Sequence, residues 1–184
     1  MISFQKKLAA IPKIYLTHFY FLLLFIFCFN VSKAQNWNWQ NPLPQGVNLN
    51  AVYFTDANTG YAVGLDGVIL ITTDAGISWT PQNSGTTNGL SDVYFTDADT
   101  GYAVGSGGSL LKTIDGGLNW NLLPGASISL SSVFFTSSSV GYAAGSNGSS
   151  ATISKTINGG ITWTAQLTTP VTNFNAVYFC NDTT

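Results

Sequence analysis

The sequence contains no arginine and no glutamate, and His18 is its sole histidine. Four of the six lysines lie within the first 34 residues, which leaves two lysines against eight aspartates in residues 35–184. A segment with a net charge of −6 has no electrostatic attraction for nucleic acid or for an anionic lipid surface. Serine and cysteine nucleophiles need a histidine base, and zinc needs clustered His or Cys ligands. We therefore expect no catalytic residue, no metal, no cofactor and no nucleic-acid partner in that segment.

Long hydrophobic runs are also scarce. The pronounced run at 19–29 has 11 residues, fewer than the roughly 20 that a membrane-spanning helix needs. It follows three lysines and precedes a Ser-x-Ala pattern that ends at Ala34. This order predicts a signal peptide over 1–34, with an uncleaved N-terminal anchor as the alternative. The mature chain would then be secreted, periplasmic or on the cell surface, away from the membrane, and Cys180 would have no internal disulfide partner.

What the sequence does have is a unit of about 40 residues that repeats. Successive tryptophans, starting from Trp39, are spaced by 40, 41 and 43 residues. Each unit opens with an alternating segment such as Leu-Asn-Ala-Val-Tyr-Phe (49–54) and continues with a segment such as Gly-Tyr-Ala-Val-Gly (60–64). Two further short strands complete the unit, and four strands in such a length are typical of a β-propeller blade.

The repeats predict an all-β fold, an incomplete β-propeller over residues 35–184. The predicted blades are 49–83, 90–124 and 130–167, with a lone fourth strand at 37–42 before them and a first strand at 174–179 after them. Because propellers have about four to eight blades, we expect the missing blades to be partners within the same, longer chain. Gly60, Gly101 and Gly141 end the first turn of each unit, and we expect positive φ angles there.

The turn between the third and fourth strands carries the most specific pattern, Thr-x-Asp/Asn-x-Gly-x-x-Trp. Its members are Thr72, Asp74, Gly76, Trp79, Thr113, Asp115, Gly117, Trp120, Thr156, Asn158, Gly160 and Trp163. We expect the Asp or Asn to accept backbone N–H groups two residues on, and the Gly to allow the turn. The Trp would bury roughly 150–250 Å². Since Asn158 replaces Asp in the third copy, we interpret the pattern as a structural fastener with its Trp in the core.

This pattern resembles the Asp box, or bacterial neuraminidase repeat. With the Val-Tyr-Phe and Gly-Tyr-Ala-Val-Gly segments, the unit is similar to the propeller repeat of the photosystem II stability and assembly factor family, over residues 36–184. The signal and the Asn/Thr-rich repeats look like a secreted protein of the Bacteroidota. The resemblance implies three alternatives: a non-catalytic scaffold that binds an unknown protein or glycan, a sialidase-like glycosidase, and an assembly chaperone.

As the resemblance implies, sialidases use an arginine cluster to hold the substrate, and a tyrosine nucleophile with a glutamate partner. The arginine fork suits carboxylates, and the assembly-factor family also has an arginine-rich partner surface. This chain has neither Arg nor Glu, so we favour the scaffold. Calcium is a further alternative at the loops that begin with Asp56 and Asp97, where a plain Asx turn competes. Trp37 lies outside the repeat phase and is the candidate exposed aromatic.

Overall fold

The computed structural model describes residues 46–124, 128–170 and 173–179. All of them lie in the second of the two compact units of the chain, Gln40–Thr184. The predicted signal peptide at 1–34, the predicted strand at 37–42 and Trp37 lie outside the described residues. Within the described ranges, no helix has the length and apolar character needed to cross a membrane.

The described residues form three antiparallel sheets of four strands, and in each sheet the strands follow chain order. The first sheet contains β1 (Leu49–Phe54), β2 (Gly60–Gly64), β3 (Ile69–Thr72) and β4 (Thr80–Gln82). The second contains β5 (Leu90–Phe95), β6 (Gly101–Gly105), β7 (Leu110–Thr113) and β8 (Asn121–Leu122). The third contains β9 (Ser129–Phe135), β10 (Gly141–Ser146), β11 (Ala151–Thr156) and β12 (Thr164–Thr169). The predicted all-β class, an incomplete propeller of four-stranded units, is confirmed.

A β-bulge sets which side chains of the first strand face the preceding sheet. In the second sheet the register of β5 against β6 shifts between Leu90 and Asp92. The extra residue brings Leu90, Val93 and Phe95 to the same face, although strict alternation would separate Leu90 from Val93. All three side chains are buried, and they pack with Tyr61 of the first sheet. The third sheet has the same shift and packs against the second in the same way.

The sheets meet face to face, and their first strands lie side by side. β1 contacts β5, and β5 contacts β9, so the first strands form the edge from which the sheets fan out. Stacked aromatic pairs recur at each step: Tyr61 lies on Phe95 and Tyr102 lies on Phe135, each pair with 4.0 Å between ring centroids. The apolar core is therefore divided between the inter-sheet spaces, as repeat architectures require.

The first sheet leaves exposed a face that the other two sheets bury. Leu49, Val52 and Phe54 are 43–61% exposed. The equivalent side chains in the second and third sheets are at most 3% exposed, because a preceding sheet covers them: Leu90, Val93, Phe95, Leu130, Val133 and Phe135.

The prediction of positive φ at Gly60, Gly101 and Gly141 is wrong. None of the three is among the positive-φ glycines, and each begins an extended strand. The reason for glycine is a close approach: a Cβ on Gly101 would lie 2.5 Å from the ring of Phe95. The same phenylalanine–glycine contact recurs in the other two units at 2.6–2.8 Å.

The predicted first strand at 174–179 is not a strand, although its side chains occupy the repeat position. Within the described ranges no strand pairs with it, and a strand is defined by such pairing. Phe179 nevertheless stacks on Tyr142 at 4.0 Å between ring centroids, as Phe95 does on Tyr61. The backbone N–H of Val177 also donates to Ser132 Oγ at 3.3 Å.

Candidate functional site

The three predicted turns, called here the 3–4 turns (72–79, 113–120 and 156–163), share one hydrogen-bond pattern. Thr72 Oγ1 accepts the N–H of Gly76 at 2.9 Å and donates to Asp74 Oδ1 at 2.8 Å. Asp74 Oδ1 also accepts the N–H of Ser78, at 2.8 Å. The Asp74 carboxylate therefore accepts the N–H four residues on, and the N–H two residues on, that of Gly76, is accepted by Thr72 Oγ1 instead. Thr72 Oγ1 also accepts the N–H of Asp74, at 3.3 Å.

The second and third 3–4 turns repeat these bonds with one change of chemistry. Asp115 Oδ1 accepts the N–H of Asn119 at 2.9 Å, and Asn158 Oδ1 accepts the N–H of Thr162 at 2.9 Å. Asn158 Nδ2 then donates to Thr162 Oγ1, where a carboxylate oxygen would accept. An amide thus fulfils the role of the acid, because the turn needs an acceptor for the backbone and one further partner.

The glycine of each 3–4 turn has a left-handed backbone, with φ of 85°, 82° and 85° at Gly76, Gly117 and Gly160. An L-residue with a Cβ is strained in this region. At Gly117 and Gly160 a Cβ would also lie 2.9 Å from the tyrosine ring of the preceding sheet. The turn glycine therefore serves both the backbone conformation and the contact between sheets.

The tryptophan of each turn packs edge-on against the phenylalanine of the first strand. Ring centroids are 6.2 Å apart for Trp79 and Phe54, and interplanar angles in all three units are near perpendicular. Trp120 is buried, whereas Trp79 and Trp163 are half-buried. Trp163 Nε1 donates to Gly160 O at 3.0 Å, while the buried Trp120 Nε1 has no hydrogen-bond partner among the described residues.

The turn carboxylates are ionised at neutral pH. The side chain and then the backbone of Ser78 hold the pKa of Asp74 below its ordinary value, and Asn119 does the same for Asp115. The backbone N–H groups of Asn58 and Thr59 lower the pKa of Asp56 in the same way. A general acid would need a raised pKa, whereas the pKa values of these three carboxyl groups are lowered.

The loops between the first and second strands, called the 1–2 loops (55–59, 96–100 and 136–140), lie at the same end as the 3–4 turns. Backbone bonds of 2.9 Å join them, for example from Gly116 N–H to Asp99 O. Asp97 Oδ1 accepts the N–H groups of Asp99 and Thr100 at 2.9 and 2.7 Å, the geometry of an Asx turn. No group of three or more His, Cys, Asp or Glu in the described ranges could hold a metal ion.

Tyrosine hydroxyls join the first and the second sheet to the 3–4 turn of the sheet that follows, a contact that the sequence reasoning did not identify. Tyr61 Oη donates to Gly116 O, and Tyr102 Oη donates to Gly159 O, both at 2.9 Å. Lys112 Nζ donates to the same Gly159 carbonyl at 2.9 Å and lies 5.3 Å from the Tyr102 ring centroid. Burial, with a smaller effect of the charge on Asp97, raises the pKa of Tyr102 to about 12.

Asp92 is a second residue that the sequence reasoning missed, because its position is not repeated. Its Oδ1 accepts the N–H of Val93, and its Oδ2 accepts the N–H of Val133 in the next sheet, both at 2.9 Å. Burial raises the pKa of Asp92, while these bonds oppose the rise. A raised pKa can mark a catalytic group, but both oxygens here bind backbone, so the carboxylate joins two sheets.

A small cleft lies at the opposite end of the second sheet. It is lined by Asn88, Ser109 and Leu122, among others, and has a volume of about 200 Å³. Pockets for small molecules usually enclose roughly 300–1,000 Å³ and are mostly apolar. This cleft is smaller and more polar, so its shape does not indicate a small-molecule site.

No family model and no curated protein matches the chain. Solved structures do match, and they are similar in fold. YCF48 from Cyanidioschyzon merolae is 27% identical with a TM-score of 0.61, over 73% of this chain and 44% of that one. A structure described as YCF48 bound to D1 peptide is 23% identical with a TM-score of 0.60, over 71% and 43%. The GH74 enzyme from Niastella koreensis is 22% identical with a TM-score of 0.52, over 60% and 20%.

These likenesses define the class: the described residues form part of a β-propeller, similar at low identity to photosystem II assembly-factor propellers and to GH74 propellers. The chain spans less than half the length of the YCF48 structures that it matches. The shared property is therefore the architecture of consecutive four-stranded sheets.

Proposed function

We propose that the chain is a non-catalytic scaffold of an exported protein, built from Asp-box repeats, that binds a segment of another protein. The observation that carries this proposal is the use of the turn carboxylates. Asp74 and Asp115 accept hydrogen bonds inside their own turns, and Asn158 makes the equivalent bonds without a charge. Residues that are fully engaged in holding a turn support a structural role for the repeat.

A protein segment is the favoured ligand over a glycan. A protein of similar fold, YCF48, is described as bound to a peptide, which supports this preference for the present chain. The export signal predicted over 1–34 supports an extracytoplasmic location. The coverage of 43% and 44% of the YCF48 structures supports a longer, more complete propeller.

The glycosidase alternative has less support. The GH74 likenesses are at 21% and 22% identity and concern the fold alone. A retaining or inverting glycosidase needs two carboxyl groups, one acid with a raised pKa and one base. Of the described aspartates with altered pKa values, Asp92 alone has a raised value, and it is engaged with backbone N–H groups on both oxygens.

The test applies the purified chain to a peptide array, a glycan array and a panel of fluorogenic glycosides that includes a sialoside. We expect binding to a subset of peptides and no turnover of any glycoside. Hydrolysis above that of a blank preparation would refute the non-catalytic assignment. Binding confined to glycans would refute the choice of ligand, and retention of a fused reporter in the cytoplasm would refute the location.

A further inference from the structure

The 3–4 turns carry large aliphatic side chains that the fold does not bury. They occupy the variable positions of the pattern, just before the Asp or Asn and just after the Gly. Their exposed fractions lie between 62% and 75%. The side chains are Ile77, Ile114, Leu118, Ile157 and Ile161. Exposed apolar residues that are scattered singly need no explanation, but these recur at the same position of successive units.

The second and third of the turns that carry these side chains are each held by the sheet before them. Tyr61 Oη donates to Gly116 O of the second turn, and Tyr102 Oη donates to Gly159 O of the third, so these two turns are joined to the sheets before them. The hydrogen bonds inside each turn fix its backbone as well. The aliphatic side chains are thus presented on a rigid support, which lowers the entropy lost when a partner binds.

The same end of the sheets is acidic. Asp56, Asp97 and Asp99 are exposed on the 1–2 loops, which are hydrogen-bonded to the 3–4 turns. The turn carboxylates Asp74 and Asp115 have lowered pKa values and add further negative charge.

Two lysines offset part of this charge. Lys112 is already bound to the Gly159 carbonyl, and Lys155 lies over the Tyr142 ring. An apolar surface with excess negative charge repels an anionic bilayer and attracts a positively charged, amphipathic partner.

We propose that this surface, the aliphatic end (Ile114, Leu118, Ile157, Ile161 with Asp97 and Asp99), binds a cationic amphipathic segment of another protein. The aliphatic face of that segment packs on the isoleucines and the leucine, and its lysines or arginines lie opposite the aspartates. The inference rests on the proposed scaffold function and specifies the chemistry of the partner. Such amphipathic segments commonly bind as helices through residues spaced three or four apart.

The probe is a fluorescent 14-residue peptide of leucine and lysine with an amphipathic helical pattern, measured by anisotropy against the full chain. The first variant is Ile114→Ser with Leu118→Ser. The second is Asp97→Asn with Asp99→Asn, in which the amide oxygen introduced at position 97 can still cap its loop and position 99 matches Asn58 of the first unit. The matched control is Leu167→Ser on β12, which removes an exposed leucine away from the turns. Circular dichroism melts establish that each variant is folded.

We expect the aliphatic variant to weaken binding at least about tenfold. The charge variant should weaken it by about threefold at low salt, and by less at high salt. The control should bind within about twofold of the original chain. Equal binding by all variants, or equal binding of a peptide with glutamate in place of lysine, would overturn the proposal.

Neutral phosphatidylcholine vesicles serve as a second probe. Vesicle binding that depends on Ile114 and Leu118, with no peptide binding, would assign the surface to a membrane and overturn the proposal. The outcomes also separate the two levels of inference. If all variants bind the peptide equally, the aliphatic end is not the binding surface, and the proposed scaffold function still stands. If the chain hydrolyses a glycoside, the proposed scaffold function itself is wrong.

Discussion

Gly60 and Gly101, which follow the 1–2 loops, allow a matched test of why glycine is required there. The two explanations are crowding by the phenylalanine ring and a backbone conformation that only glycine adopts. Gly101→Ala would place a Cβ 2.5 Å from two carbons of the Phe95 ring, about 1 Å inside the ordinary contact distance. The ring cannot retreat, because it is stacked on Tyr61 at 4.0 Å and packed edge-on against Trp120. Overpacking of this kind costs about 1–3 kcal/mol.

Gly60→Ala makes the same change at the same repeat position, with a different expected result. Its Cβ would lie 2.7 Å from the Phe54 ring, but that ring is 43% exposed and can rotate towards solvent. Alanine also restricts the unfolded chain, which contributes about 0.4–1 kcal/mol in favour of the folded state. The small cost of moving the Phe54 ring and the gain from restricting the unfolded chain nearly cancel. We therefore expect the free energy of unfolding to change by less than about 0.5 kcal/mol.

Urea unfolding of both variants, followed by tryptophan fluorescence, measures the difference. The restriction of the unfolded chain is common to both variants, so we expect Gly101→Ala to be less stable than Gly60→Ala by about 1–2 kcal/mol, or roughly 2–8 °C in melting temperature. Gly46→Ala, where no atom lies within 4 Å of the new Cβ, reports the effect on the unfolded chain alone. Equal destabilisation at positions 60 and 101 would refute crowding as the reason for glycine and would favour a requirement of the backbone conformation.

Two further predictions concern the tyrosine bonds and the turn carboxylates. Tyr102→Phe should lower the free energy of unfolding by about 1–2 kcal/mol in the same urea assay, since it removes a buried bond to Gly159, whereas Tyr142→Phe should change it little. Asp115 has a lowered pKa, so its contribution to stability is present above the unfolded pKa and is lost as the pH falls through the folded value. Asp115→Asn should therefore give a shallower fall in melting temperature below about pH 4 than the original chain, and an unchanged acid profile would contradict this assignment.

The strands and turns of this chain were predictable because they repeat. Alternation beyond the bulge, as at 52–54, follows from the local geometry of a strand. The spacing of the tryptophans follows from the length of the repeated unit. The prediction at 174–179 failed because a strand also needs a hydrogen-bonded neighbour, and none pairs with it among the described residues. The local sequence pattern therefore predicted the position of this segment in the repeat but not whether a neighbouring strand pairs with it.

The contacts between sheets were harder to predict, since they depend on two units at once. Position 101 requires glycine because the ring of Phe95, six residues earlier on the adjacent strand, leaves no space for a Cβ. The sequence reveals the repeated glycine but not the position of the ring. Asp92 has no counterpart, because alanine and serine occupy the equivalent positions 51 and 132. A signal for Tyr61 and Tyr102 was present in their repetition, but their acceptors are 55 and 57 residues away.

Comparison of equivalent positions in successive units also distinguishes residues that hold the fold from residues that are available for binding. A position that the repeated turn requires shows the same contact in each unit, as Thr72, Thr113 and Thr156 do when each accepts the N–H of its turn glycine at 2.9–3.0 Å. Leu118 and Ile161 are also equivalent, yet they share exposure and not a buried contact. Burial of an aliphatic side chain stabilises a protein and its exposure does not, so stability gives no reason for isoleucine and leucine there. A partner that covers these side chains would give that reason, and the variant that combines Ile114→Ser with Leu118→Ser tests it directly.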